Sequence, residues 1–86
     1  MLIVTGAMTS TPDLSELARA RELAATGTGR LIREWAQLSI REVAASINAA
    51  PSAVFRWETG QRVPRSDKGL RWARAMWELH EKRRKP

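Results

Sequence analysis

The sequence contains no cysteine and a single histidine, and these absences exclude several kinds of site. Without cysteine the chain forms no disulfide and offers no thiolate to a metal ion. His80 is the single histidine and has no second histidine or cysteine to act with, so a zinc cluster or a histidine-based active site lacks its parts. We therefore expect no catalytic residues, no metal site and no cofactor, and we predict that the protein is not an enzyme.

Long apolar runs are also missing. The stretch M-L-I-V-T-G-A-M at residues 1–8 has no basic residue ahead of it. It is too short for the core of a signal peptide or for a membrane span. We therefore expect a cytoplasmic protein with no membrane partner, in which residues 1–10 form a flexible tail.

Positive charge, by contrast, is abundant and unevenly placed in a chain of 86 residues, a length that suits one small domain. The net charge is +6. Residues 1–29 hold two basic and three acidic side chains (net −1), and residues 30–86 hold 13 basic and six acidic side chains (net +7). A basic region of this kind favours a polyanionic partner, nucleic acid before a membrane surface. The alternative is a solvated face that only keeps the protein soluble.

Apolar residues recur at helical spacing throughout the chain after residue 8, which predicts about five helices and no sheet. The first helix begins in S-T-P-D, residues 10–13, with a hydroxyl cap and an early acid, and ends at T-G-T-G, residues 26–29. A second helix is predicted from about Arg30 to Gln37, with Leu31, Trp35 and Leu38 in one stripe.

The next two helices are short and closely spaced. S-I-R-E at residues 39–42 is a capping-box pattern, and Asn48 ends the helix behind it. The following helix starts at Pro51, runs to Thr59 and is stopped by Gly60. The apolar face of the first of these helices is formed by Ile40, Val43, Ala44 and Ile47. A last helix is predicted from Ser66 or Asp67 to Glu81, with Leu70, Ala73, Met76 and Trp77 on its apolar face and a basic tail at 82–86 behind it.

Two apolar-faced helices joined by N-A-A describe a helix-turn-helix. L-S-I-R-E-V-A-A-S-I-N-A-A-P-S-A-V-F-R-W-E-T-G-Q-R-V-P, residues 38–64, resembles the Cro/lambda-repressor-like (XRE-type) helix-turn-helix family, and most of all its small phage Cro-type repressors. The matching residues are Leu38, Ser39, Glu42, Val43, Ala44, Ile47, Val54, Trp57, Glu58, Gly60 and Pro64. With the flanking helices the resemblance covers about residues 29–77. It implies an all-α bundle of about five helices: one DNA-binding domain at 11–81, with the motif at about 39–59 and the recognition helix at about 51–59.

The resemblance also implies roles for individual residues. In this family the recognition helix lies in the DNA major groove. The residues at its groove-facing positions are Pro51, Ser52, Phe55 and Arg56, and those at its inward positions are Val54 and Trp57. We expect Arg56 to read guanine through two hydrogen bonds, with a phosphate contact or a solvated side chain as the alternatives. Phe55 departs from the polar residue usual here: it either packs on thymine methyl groups or tucks against the preceding helix as core.

Contacts to the DNA backbone are expected around the motif. The family meets phosphates at the positions of Arg41, Thr59, Gln61, Arg62 and Arg65, each of which has a solvated surface residue as its alternative. Arg33 and Glu58 match two positions that form a partly buried salt bridge, whose alternative is two unrelated surface charges. Ala50 stands where a serine or threonine often caps the recognition helix, so this cap is expected to be missing.

The function that the resemblance implies is sequence-specific binding of double-stranded DNA by a transcriptional regulator, a repressor of the phage Cro type, in a bacterial or phage-infected cell. Two alternatives stay open: an antitoxin that binds a toxin and regulates its own operon, and a protein–protein module on the same fold. No small-molecule ligand is expected. The resemblance also implies that the protein binds a pseudo-palindromic operator as a homodimer. Two sets of residues offer a pairing surface, unless both only complete the core: Trp72, Met76, Trp77 and Leu79 on the last helix, and Leu14, Leu17 and Leu23 on the first.

Overall fold

Five α-helices make up the protein in a computed structural model that describes residues 13–84. They are α1 (Leu14–Ala25), α2 (Thr28–Trp35), α3 (Ile40–Ser46), α4 (Pro51–Glu58) and α5 (Asp67–Arg84). Helix α1 packs against α5 and α2, and α3 packs against α4. The described residues contain no strand, so the predicted all-α class with about five helices is confirmed. The predicted tail at 1–10 lies outside this range.

Helix α1 is capped by Asp13, whereas the sequence pattern predicts Asp13 as an acid within the first turn, behind a hydroxyl cap. The Asp13 carboxylate accepts hydrogen bonds from the Ser15 hydroxyl, 2.7 Å away, and from the Ser15 backbone amide, 3.4 Å away. These bonds favour the ionised form, so they lower the pKa of Asp13 from its ordinary value. The hydroxyl caps predicted within residues 10–12 lie outside the described residues.

The connection from α1 to α2 uses its two glycines differently. Gly27 precedes α2 in the left-handed region, with φ of 76°. Gly29 lies inside α2 and faces the buried Trp72, whose ring carbon Cζ2 would be 2.5 Å from a Cβ at this position. The predicted start of the second helix at Arg30 is therefore wrong by two residues, because Gly29 belongs to the helix as a point of close packing.

The inward face of α2 also differs from the predicted stripe. Leu31 is 63% exposed and Trp35 is 44% exposed, whereas Ile32 is buried. The inward positions follow helical spacing from Gly29 through Ile32 to Arg33. Only one of these three has a large apolar side chain, so the inner face carries a weak hydrophobic signal, and the outer pair Leu31 and Trp35 dominates the pattern.

The core is built from all five helices and is centred on two tryptophans. Trp72 is fully buried, and its ring centroid lies 5.8 Å from that of Trp57. The buried apolar residues are Ala20, Leu23, Ala24, Ile32, Val43, Ala44, Ile47, Val54, Trp57, Leu70, Trp72, Ala73 and Met76. Trp72, Met76 and Leu23 of the two predicted pairing surfaces belong to this core, and Leu17 and Leu79 pack against it, whereas Leu14 is 79% exposed.

Helix α5 continues three residues past its predicted end at Glu81. Its last turn is held to α2, because the Arg83 guanidinium carbon lies 3.3 Å from the centroid of the Trp35 ring. Arg83 also donates a hydrogen bond to the Trp35 carbonyl oxygen, 3.4 Å away. The predicted basic tail at 82–86 is therefore helical as far as Arg84.

The segment from α3 to α4 follows its sequence signals closely. The Ser39 hydroxyl accepts from the Glu42 amide at 3.0 Å, and the Glu42 carboxylate accepts from the Ser39 amide at 2.8 Å, so the predicted capping box is confirmed. Asn48 ends α3 with φ of 58°, and Pro51 occupies the first turn of α4. The inner side of α3 is formed by Val43 and Ala44, with Ile47 behind them. Two short helices are thus joined by a turn of four residues, 47–50.

Candidate nucleic-acid interface

Helix α4 presents one face to the core and one to solvent. Val54, Trp57 and Glu58 are buried. With about 3.6 residues per turn, the opposite side of the helix is centred near Ser52 and Thr59. The exposed residues are Pro51, Ser52, Phe55, Arg56 and Thr59, so every residue predicted to face a groove is accessible.

A buried ion pair fixes the orientation of α4. The Arg33 guanidinium on α2 donates from Nε to Glu58 Oε2 and from Nη2 to Glu58 Oε1, the second bond with a length of 3.0 Å. Its Nη1 donates to the Leu38 carbonyl oxygen at 2.9 Å. Only 12% of the Arg33 side chain and 2% of the Glu58 side chain are exposed. The hydrogen bonding to Glu58 raises the pKa of Arg33 above its ordinary value. The pair ties α4 to α2 and leaves the outer face of α4 free.

The start of α4 has no side-chain cap. Ala50 has the extended backbone of a helix-capping residue, with φ of −76° and ψ of 143°, but its methyl group cannot accept a hydrogen bond. The missing cap predicted from Ala50 is confirmed. The first turn of α4, where Pro51 lacks a backbone N–H, is therefore exposed at Pro51 and Ser52 and has no capping hydrogen bond from a side chain.

The loop after α4 is ordered by its own polar groups. The Thr59 hydroxyl donates to the Phe55 carbonyl oxygen at 2.9 Å, and Gln61 Nε2 donates to the Thr59 hydroxyl at 3.0 Å. Gly60 takes a φ of 75°, which turns the chain away from the helix. A surface cavity follows, lined by Trp57, Gln61, Arg62, Val63, Arg65 and Ser66. The loop thus presents two guanidinium groups around an open depression.

Four exposed arginines in residues 41–65 form no ion pair with any of the residues 13–84. They are Arg41, Arg56, Arg62 and Arg65. Elsewhere most arginines are engaged: Arg30, Arg33, Arg71 and Arg74 are in ion pairs, and Arg19 and Arg83 lie over tryptophan rings. Arg21 on α1 is another exposed arginine for which the described residues supply no acidic partner. Among residues 13–83, four of the five arginines that neither form an ion pair nor lie over a tryptophan ring are therefore in α3, α4 and the loop behind α4, whereas the exposed Lys68 and Lys82 on α5 also form no ion pair with the described residues.

Phe55 lies outside the core. Its side chain is 49% exposed, and it is absent from the group of partly buried residues that pack on the core. The alternative that it tucks against the preceding helix as core is therefore wrong. An outward-facing phenylalanine among polar neighbours is consistent with the helical wheel of α4.

Sequence reasoning missed two features of this surface. Val63 is 47% exposed beside Arg62, and a lone valine in a polar loop carries no periodic signal. The second feature is which arginines are already paired. Spacing of four residues reveals Arg30 with Glu34, but nothing in the sequence links Arg74 to Glu16, whose carboxylate lies 3.1 Å away.

Metal and membrane features give no competing site in the described part of the chain. Residues 13–84 contain no cluster of three or more histidine, aspartate or glutamate side chains able to hold a metal ion. None of the helices described here is long and apolar enough to cross a membrane. Comparison of the chain with protein-family models, with curated proteins and with solved structures finds no match.

Proposed function

We propose that the protein binds double-stranded DNA in a sequence-specific manner and acts as a transcriptional regulator, a repressor of the phage Cro type. Helices α3 and α4 with the turn at 47–50 form the helix-turn-helix in this proposal. The observation that carries it is the concentration of unpaired arginines in residues 41–65, next to an accessible face of α4. A helix of eight residues with one accessible outer face suits the major groove, which admits an α-helix.

Base reading is assigned to the outer face of α4. The Arg56 guanidinium is exposed, and no carboxylate among residues 13–84 pairs with it, so both of its outer nitrogens are available. Such a group donates two hydrogen bonds to guanine O6 and N7, a contact that contributes about 1–3 kcal/mol of discrimination. Ser52, near the start of the helix, is placed for a base edge or a phosphate, and Pro51 lies beside it.

Contacts to the phosphate backbone are assigned to the residues around that helix. Arg41 stands in the first turn of α3, and Arg62 and Arg65 stand in the loop after α4. Thr59 and Gln61, which lie just before Arg62 in the chain, add neutral hydrogen-bonding groups. Phosphate contacts position a protein on the duplex without reading its sequence. Each neutralised phosphate lowers the log–log salt slope of binding by about 0.9.

The experiment that tests this function is selection of bound duplexes from a randomised pool by the full chain, followed by binding of the selected sequence at two salt concentrations. An enriched motif, bound more tightly than scrambled DNA at both concentrations, supports the proposal. Two half-sites about one helical turn apart within the motif would support the expected homodimer. Uniform weak binding that moderate salt abolishes would contradict sequence-specific recognition.

One observation favours a protein partner as a second function. Leu31 and Trp35 expose apolar surface on α2, a helix outside the proposed helix-turn-helix. An antitoxin-type protein, which binds both DNA and a toxin, would use such a surface in addition to the helix-turn-helix. Replacement Leu31→Ser would then leave DNA binding intact and abolish capture of the partner, whereas a role of α2 in a DNA-bound homodimer would weaken DNA binding as well.

A further inference from the structure

We infer that Phe55 reads the methyl group of a thymine in the major groove, an inference that rests on the proposed binding of DNA by α4. The ring stands on the same side of α4 as Ser52 and Arg56 and is 49% exposed. Phe55 belongs neither to the buried core nor to the partly buried apolar residues that pack against it. Half of a large apolar side chain therefore remains in water on the side proposed to meet the bases.

The surroundings of Phe55 indicate what kind of partner it meets. Its exposed neighbours on the helix are the polar or charged Ser52, Arg56 and Thr59, and Pro51 one turn before it. Among residues 13–84 the other large exposed apolar side chains are Leu14, Leu31, Trp35 and Val63, and none of them belongs to α4. Protein interfaces have apolar cores built from several residues. Phe55 instead stands as a single ring beside hydrogen-bonding side chains and the Arg56 guanidinium. This combination matches a partner that is polyanionic and carries single apolar groups.

The major-groove edge of DNA has one such group. Thymine alone among the four bases presents a methyl group there, and apolar side chains including phenylalanine contact it. Cytosine, adenine and guanine have no methyl group at this edge. Burying the methyl group against the ring removes apolar surface of both from water. Phe55 would therefore favour thymine over the other bases without making a hydrogen bond.

Phe55 and Arg56 would read different positions of the site. Adjacent residues on a helix point about 100° apart, so the two side chains lie on either side of Ser52. The ring and the guanidinium therefore reach different base pairs or different strands. The inference accordingly predicts a bound sequence in which a thymine position depends on Phe55 and a separate guanine position depends on Arg56.

The test replaces thymine by uracil (deoxyuridine in place of thymidine), which removes the methyl group and keeps every hydrogen-bonding group. Each thymine of the selected sequence is replaced in turn, and affinity is measured for the wild type, Phe55→Ala and Phe55→Leu. Burial of one methyl-sized group corresponds to about fourfold in affinity. We expect the wild type to lose about fourfold at one or two positions, Phe55→Leu to keep part of that ratio, and Phe55→Ala to bind thymine and uracil equally there.

Several results would overturn the inference. They are equal wild-type affinity for thymine and uracil at every position, a thymine preference that survives in Phe55→Ala, and a selected sequence without thymine. Unchanged DNA affinity of Phe55→Ala would mean that the ring meets another partner, such as a protein. Absence of any selected sequence would defeat the proposed function itself, and this inference with it. The wild-type comparison needs no variant, so it stands even where Phe55→Ala lowers stability, which circular dichroism would report.

Discussion

Glu58 is a carboxylate removed from water, and its charge is compensated by a single side chain. Arg33 supplies two hydrogen bonds to it, and Arg33 in turn satisfies the Leu38 carbonyl oxygen. A buried ion pair of this kind contributes little net stability, but loss of one partner leaves an uncompensated charge in the interior. The intact pair therefore mainly orients α4 against α2 and adds little to the free energy of unfolding, although the loss of one partner is costly.

Replacement Glu58→Gln is expected to lower the free energy of unfolding by about 3–5 kcal/mol, because the Arg33 charge stays buried without its carboxylate. Urea denaturation measures this difference. The matched control is Glu34→Gln, which breaks the exposed pair with Arg30 and is expected to cost about 0.5 kcal/mol or less. Equal losses in the two variants would contradict the structural role of Arg33 and Glu58.

Gly29 is required because of Trp72, and its replacement tests the packing of α2 on α5. In Gly29→Ala the new methyl group would meet Trp72 Cζ2 and Cη2 at 2.5 and 2.7 Å, and the fully buried ring has no room to withdraw. We expect a loss of about 1–3 kcal/mol in the free energy of unfolding, although alanine is the better helix former. Gly27→Asn is the control, since no atom lies within 4 Å there and asparagine tolerates a positive φ. A stabilising effect of Gly29→Ala would contradict the close packing.

At the scale of the secondary-structure element, a helix was predictable where capping and turn residues next to it in the sequence set its ends. The capping box at Ser39 and Glu42, the positive φ of Asn48 and the first-turn position of Pro51 all follow from the chemistry of those residues. These signals are confined to neighbouring residues, so the sequence is sufficient to predict them. Helices α3 and α4 were accordingly placed almost to the residue.

Other elements depend on contacts that are distant in sequence. The inner face of α2 is set by Trp72, which takes the space beside Gly29, so the apolar stripe of Leu31 and Trp35 pointed to the wrong side. The end of α5 is set by the stacking of Arg83 on Trp35, 48 residues apart. No periodicity within a single segment reports such contacts.

Helix α4 itself is expected to gain stability from a cap. Ala50→Ser places a hydroxyl at a residue that already has capping geometry, where it can accept from an amide of the first turn. We expect the free energy of unfolding to rise by about 1 kcal/mol. Ala45→Ser, the same change at an exposed position inside α3, is the control and is expected to be neutral or slightly destabilising. A thermal melt of the two variants that shows no difference would contradict the assignment of Ala50 as an unused cap.

For the whole molecule, the sequence established the sign of the charge but not its distribution on the surface. Net charge places the excess in residues 30–86, and the structure shows that most of the arginines without an ion pair lie in residues 41–65. This narrowing needs the tertiary pairs, such as Arg74 with Glu16 across α5 and α1. The outward positions on α4 were predictable from its helical wheel alone, because that helix has one clear apolar side.

The central claim is that α4 reads DNA sequence through Arg56. The most direct test measures the base preference at each position of the selected site for two variants, Arg56→Ala and Arg21→Ala, and compares both with the wild type. Both variants lose one exposed, unpaired arginine, but Arg21 stands on α1. We expect Arg56→Ala to lose about 1–3 kcal/mol of discrimination at one or two guanine positions, and Arg21→Ala to keep the full preference. A uniform and equal loss of affinity in both variants would mean that charge alone holds the DNA, and would contradict the account.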